Sequence, residues 1–251
     1  MLCQFKIGDE MGEKLVAPTD GGEGRDLAVV KAALGFVPVV GSALAEFAGL
    51  HGNNYGRRVE AWMADITQVV NELQRRTELS AQDLLNNEAF HSFLLQATPI
   101  AIRNHRREKL DALQSALVAV GFDEAFSGQQ DLAFQFLRYI DELTVTHILI
   151  LREIARRPDA FYPVKTMKLA HETLATGALE AVRPDEMRVF LRDLDSRGLL
   201  QANDLEDLEE FESRAVYIAA ENTERHPLMT TELGRRFIKF ITAYKPGSVA
   251  P

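Results

Sequence analysis

From Asn54 to Leu194, and again from Leu233 to Ile241, apolar residues recur three or four positions apart. A helix gathers such positions onto one face, whereas a strand would scatter them over both. The chain must therefore fold mainly as helices, each burying one stripe. Tyr55, Val59, Trp62, Ile66, Val69 and Leu73 make the longest stripe, roughly five turns of helix. Arg57, Arg58, Glu60, Asp65, Glu72, Arg75 and Arg76 fall on its other face.

The same spacing predicts the elements that follow. Ser80 is placed to cap a helix, with Asp83 three residues on, and Leu84, Leu85, Phe90, Phe93, Leu94 and Ala97 turn inward. Pro99 lacks the donor that a helix interior needs, so it kinks this helix or starts another. The next helix carries Leu110, Leu113, Leu117 and Val120, with Gly121 as its stop. Beyond the loop DEAFSGQQD, the segment DLAFQFLRYIDEL turns Leu132, Phe136, Ile140 and Leu143 inward. Short connections between such helices imply an antiparallel bundle.

After Leu143 the character changes. Thr144 can cap VTHILILREIARR, which Pro158 and Pro163 close, and KTMKLAHETLATGAL reads as a short helix. Arg183-Pro184-Asp185 opens another, with Met187, Phe190, Leu191 and Leu194 on one face and an end at Arg197-Gly198. Leu199, Leu200 and Gln201 are extended, DLEDLEEFE is acidic, and RAVYIAA reads as a strand. TTELGRRFIKFITAY closes the series, with Leu233, Phe237, Phe240 and Ile241 inward. This order of elements, and the phrases DLDSRGLLQ and MTTELGRRFIKFI, resemble a winged helix-turn-helix. The expected fold is mainly α. An irregular lead-in (1–26) precedes a helical bundle (27–143) that carries an apolar helical hairpin. A winged-helix-like α+β module (144–245) and a tail (246–251) follow.

The hairpin is expected in AALGFVPVVGSALAEF. Fourteen residues, Ala32 to Ala45, carry no charge. A membrane span needs about 20 apolar residues, and Pro38, Lys31 and Glu46 break or bound this run. It is no phosphate loop either, because no Lys-Ser/Thr pair follows its glycines. Pro38 pushes the residue before it out of helical geometry and can start a second helix, while Gly41 and Ser42 permit close packing. Phe36, Val37, Pro38, Val39, Val40, Gly41, Leu44 and Phe47 would then form a hairpin that is buried deeply or inserts into a partner or membrane.

Charge narrows the partners. The net charge is −9, and each half of the chain split at Gly128 is acidic: 12 Lys+Arg against 17 Asp+Glu, then 16 against 20. Such surfaces repel a phosphate backbone unless a local patch dominates. Two places offer one. Arg103, His105, Arg106, Arg107 and Lys109 sit together in RNHRREK, and Arg188 and Arg192 lie one turn apart on RPDEMRVFLRDLDSR. The latter helix is the one that enters the major groove in winged-helix DNA readers. Its four arginines meet four acids, and six of the nine residues from Asp204 to Glu212 are acidic. Both features favour packing or protein contact over base reading.

Catalytic signatures are missing from the sequence itself. None of His51, His91, His105, His147, His171 and His226 has metal-ligand spacing, and His171-Glu172 meets Ala175 where a zinc motif needs a second histidine. No Gly-x-Ser-x-Gly elbow is present. The expectation is no enzyme and no cofactor. The single cysteine, Cys3, allows no internal disulfide framework, and MLCQFKIGDEMGEK has no signal-like apolar core. A cytoplasmic protein, peripheral to a membrane at most, is expected.

Two resemblances add to this. PVVGSALAEF looks like the Pro-x-x-Gly-Ser helical hairpin of several bacterial membrane-acting toxins. EKLDALQSAL, DELTVTHILILREI, RGLLQ and TELGRRFIKF, spread over about 105–245, together resemble bacterial abortive-infection alpha-type proteins. That resemblance implies a helical chain with a winged-helix-like tail, associated with anti-phage defence, and it supplies no catalytic residues. The function expected first is a bacterial effector or adaptor acting through protein contacts, self-association or conditional membrane association. The alternatives are a winged-helix transcriptional regulator and an enzyme whose site forms only in three dimensions.

Overall fold

The structure is a computed structural model, and it describes residues 54–77, 79, 81–122, 126, 128–164, 166–202 and 228–244. The fold is mainly helical with a small two-stranded sheet. The chain divides into two compact units, Met1–Leu137 with Ala243–Pro251, and Arg138–Thr242. The divide falls within the helix that precedes the expected boundary at 143/144. The hairpin residues Phe36, Val37, Pro38, Val39, Val40, Gly41, Leu44 and Phe47 lie outside the described residues, as do DLEDLEEFE and RAVYIAA.

In the first unit, α1 (Asn54–Thr77), α2 (Ala81–Asn86), α3 (Glu88–Arg103), α4 (Arg107–Phe122) and the start of α5 (Gln130–Glu142) follow one another. The α1 stripe is buried as expected at Val59, Trp62, Ile66, Val69 and Leu73. Trp62 Nε1 donates to Thr98 Oγ1 at 3.2 Å, and that hydroxyl donates to the Leu94 carbonyl at 2.8 Å. Burying a large apolar side chain contributes about 1.5–3 kcal/mol and one hydrogen bond about 1 kcal/mol, so the stripe carries most of the attachment. Helix α4 packs against both α1 and α3. It is buried almost all round: every residue from Ala112 to Val120 is buried, including Gln114 and Ser115. The signal was in the sequence, because no charge occurs between Ala112 and Phe122.

Three local expectations change. The helix expected from Ser80 through Ala97 is two helices, since Asn87 starts α3 by accepting from the Phe90 N–H at 3.1 Å. Pro99 starts no helix but lies inside α3. It is exposed, so water can reach the Leu95 carbonyl that it leaves without a donor. Gly121 is no stop, because α4 continues to Phe122. Its role is space: a Cβ there would lie 2.7 Å from the buried Leu73 Cδ1. The C-terminal residues belong to this unit too, where Ser115 Oγ donates to the Tyr244 carbonyl at 2.7 Å.

In the second unit, α6 (Val145–Arg156), the one-turn α7 (Pro158–Phe161) and α8 (Met167–Leu174) lead through a 3₁₀ turn to α9 (Pro184–Ser196). Strands β1 (Leu200–Gln201) and β2 (Met229–Thr230) pair antiparallel, Leu200 opposite Thr230, and α10 (Glu232–Thr242) follows. Thr166 makes an isolated bridge, and the Leu228 N–H donates to the Val164 carbonyl at 3.5 Å, so the chain before α8 meets the chain before β2. Helix α6 packs against α9, β2 and α10. Helix α9 ends in a Schellman turn: Leu199 N–H reaches the Leu194 carbonyl and Gly198 N–H the Asp195 carbonyl, with Gly198 at φ 71°.

The last helix is fixed to that turn. Thr231 Oγ1 donates to the Gly198 carbonyl at 2.5 Å and accepts from the Gly234 N–H at 2.9 Å, capping α10. Thr231 N–H also donates to the Leu199 carbonyl at 3.2 Å. A Cβ at Gly234 would lie 2.1 Å from the Leu199 carbonyl oxygen, a backbone atom that cannot rotate away. Gly234→Ala should therefore cost about 3 kcal/mol, read as a lower urea midpoint. Gly121→Ala should cost less, because a leucine methyl can shift; an equal or larger loss at Gly121 would refute this ranking.

Candidate functional site

Both basic clusters are built by helix ends and helix faces, and their geometry differs from their sequence. Arg103 ends α3, Asn104 caps it, and a short turn of His105 and Arg106 leads into α4 at Arg107. Arg103, His105 and Arg106 are exposed, and Arg106 Nε lies 3.5 Å from Glu108. Arg107 turns toward α1. Its NH1 is 3.4 Å from both oxygens of Asp65, and its Nε is 2.7 Å from Asp111 Oδ1, an ion pair without hydrogen-bond alignment. Lys109 is buried. Arg103, His105, Arg106 and Arg107 are thus the exposed members of the cluster, with Arg103, Arg106 and Arg107 all engaged within the molecule.

Asp65 falls on the polar face of α1 by simple alternation, but its carboxylate is buried. Its spacing gives the reason: it lies three residues after Trp62 and four before Val69, both core positions. Burial pushes its pKa above the ordinary carboxylate value, while Arg107 and the Gln114 side chain pull it back and Asp111 adds to the rise. The Gln114 amide lies near enough to Asp65 to pull on its carboxylate, although neither Nε2 nor Oε1 makes a well-aligned hydrogen bond among the described residues. Nearby, burial raises the Tyr244 phenol pKa, and the charges of Glu72 and Asp65 add to it.

In the second unit, α9 buries Met187, Leu191 and Leu194 and exposes Asp185, Val189, Arg192 and Ser196. Most of its arginines are committed. Arg183 reaches Asp185 at 3.1 Å and Glu186 at 3.4 Å. Arg197 reaches Glu142 at 2.5 Å and Asp193 at 3.2 Å, stacking its guanidinium over Tyr139. Arg188 is half-buried and has a partner. Arg192 is exposed, with no ion pair or hydrogen bond to a described residue. At the centre of this face stands Val189, 62 % exposed. Sequence reasoning did not single it out, although it lies four residues after Asp185 and three before Arg192.

Among the described residues the nearest approach to a catalytic array is Thr144, His147 and Asp193. Thr144 N–H donates to His147 Nδ1 at 3.1 Å, and Thr144 Oγ1 lies 2.8 Å from the same nitrogen. Nδ1 therefore carries no proton, and Nε2–H faces Asp193 Oδ2 at 3.2 Å. The ring stands edge-on to Phe190. A general base needs a free nitrogen lone pair. Here that lone pair is held by the capping box at the start of α6, so the trio is a joint between α6 and α9. His171 Nε2 is likewise held, 2.8 Å from the Val182 carbonyl. Among the described residues no three His, Cys, Asp or Glu side chains form a metal cluster.

No family model, no curated protein and no solved structure matches the chain. Among the described residues no helix is long and apolar enough to cross a membrane.

Asp65 sets a pH dependence. Its folded-state pKa lies above the unfolded value near 3.9, so the folded protein holds that proton more tightly. The charged form is a net cost above the raised pKa, and stability is gained as pH falls through it. Asp65→Asn should be more stable than the wild type at pH 7, with the difference vanishing toward pH 4. Urea unfolding across this range checks the sign; a neutral-pH loss would show that the Arg107 pair outweighs burial.

Proposed function

We infer that the chain is a non-enzymatic adaptor that works through protein contacts, with α9 of a winged-helix-like second unit as its contact helix. The observation that carries this reading is the exposed face of α9. It presents an apolar side chain, Val189, flanked by a single uncommitted arginine among the described residues. A phosphate-binding face needs cations that are free to displace counterions, and most arginines of α9 are neutralised in place. An exposed valine among charges suits the centre of a protein interface.

The winged-helix-like reading rests on three supports. The element order α6, α8, α9, β1, β2, α10 follows that fold. The bridge at Thr166 and the Leu228–Val164 bond supply the place of a first strand. The Thr-x-x-Gly start of α10 closes against Gly198 and Leu199, in the turn that leads into β1. The resemblance to abortive-infection alpha-type proteins belongs to the same proposal and would set the adaptor in bacterial anti-phage defence. Membrane association through 27–50 belongs to it too.

Two measurements test the reading. A photo-crosslinking amino acid in place of Val189 should give a discrete protein adduct in bacterial cells, and the same probe at exposed Lys168 of α8 should not. Binding to duplex DNA should be weak at low salt. The competing reading, a transcriptional regulator, requires a steep salt dependence whose slope drops by about 1 in Arg192→Ala. That result, with no adduct at position 189, would replace the adaptor by a DNA reader.

A further inference from the structure

We propose that the exposed face of α9 docks on the same face of a second copy of this chain, the two helices antiparallel about a two-fold axis at Val189. This rests on the reading of α9 as the contact helix and makes that helix's partner a second copy. The solvent face of α9 is one narrow seam. Beyond its first residue, Pro184, the exposed residues are Asp185, Val189, Arg192 and Ser196, at steps of four, three and four. That is the spacing along which two helices pack side by side. Met187, Leu191 and Leu194, on the opposite face, are buried in the unit.

The charges divide along this seam. At its start Asp185 and Glu186 share one guanidinium, that of Arg183, at 3.1 Å and 3.4 Å. Two carboxylates against one arginine leave a negative charge over. Three residues past Val189, Arg192 has no ion pair or hydrogen bond with a described residue. The other charges of the helix are engaged within the unit. Asp193 pairs with Arg197 and faces His147, and Arg197 also reaches Glu142. Asp195 accepts from the Ala202 N–H at 2.9 Å, and the half-buried Arg188 has a partner.

Such a seam is complementary to itself when one copy is reversed. With the axis at Val189, a residue three places after it faces the residue three places before it on the other copy. Arg192 then meets Glu186 and lies beside Asp185, and the same contact repeats across the axis. Val189 meets its own copy at the centre, where the two side chains shield each other from water. A parallel pair would set Arg192 against Arg192 and one acidic start against the other. A phosphate backbone would meet the surplus acid along with the arginine. A self-complementary patch produces a closed two-fold pair. One helix face from each copy is a small interface, so the dimer is a reversible one.

The test is sedimentation velocity of the full chain over a concentration series, at low and high salt. A monomer–dimer equilibrium that salt weakens is expected. R192E and D185R should each raise the dimer dissociation constant about tenfold, because symmetry makes each change act at two contacts. An equimolar mixture of the two variants should restore pairing, since each altered charge then faces its opposite. Both side chains are exposed, and pairing in the mixture shows that both variants are folded. A wild type that stays monomeric, or a mixture that pairs no better than either variant alone, would overturn the proposal. The photo-crosslinker at position 189 separates this from the wider reading. An adduct of twice the chain's mass supports the dimer. An adduct of any other mass overturns the dimer and leaves the adaptor standing, and no adduct overturns both.

Discussion

The second unit depends on one close approach, the backbone of Gly234 against the carbonyl of Leu199. Around it a turn and two hydrogen bonds lock together. Gly198 turns the chain out of α9 at a positive φ that other residues resist, its carbonyl accepts from Thr231, and Thr231 in turn caps α10 at Gly234. The end of one helix, the first strand and the start of another helix thus share a few residues. This also gives Thr-x-x-Gly a physical meaning. The threonine serves as donor to one element and acceptor for the next, and the glycine is there because any side chain would occupy the position of a carbonyl oxygen.

In the first unit the corresponding constraint is the burial of α4. A helix enclosed on nearly every side must dispose of its polar groups, and it does so unevenly. Ser115 finds the Tyr244 carbonyl, whereas the Gln114 amide makes no well-aligned hydrogen bond among the described residues. Asp65 is drawn into the same region and is only partly offset by an arginine that remains 54 % exposed. An exposed partner is hydrated and screens weakly, while the buried carboxylate meets the full cost of desolvation. Burial therefore wins over pairing at Asp65, and the sign of its pKa shift follows.

The helices were legible in the sequence because burial imposes a period, and Val59 to Leu73 display it without interruption. What periodicity does not carry is the chemistry of single positions. Asn87 splits an expected helix by one hydrogen bond. Pro99 leaves α3 unbroken because its side of the helix faces water. Gly121, read as a stop, is a space for Leu73. Asp65 looked polar-faced because a charged residue at a boundary angle of the helix can face either way, and only a neighbour such as Arg107, forty-two residues along, decides it.

The candidate sites show the same limit in sharper form. RNHRREK reads as one basic patch, yet a run of cations around a helix start must point in several directions, and of its five basic side chains Lys109 is buried and Arg107 is held by two carboxylates. On α9 the four arginines and four acids sum to zero in sequence, but a sum does not say which charges cancel. The structure pairs Arg183 and Arg197 at the two ends of the helix and leaves Arg192 near the middle, beside Val189. Cancellation at the ends concentrates the remaining chemistry at the centre. An apolar side chain with one adjacent cation is a different surface from a helix of evenly spread, weakly charged character, although the two have identical compositions. The surface character of such a helix is set by which ion pairs form within the unit.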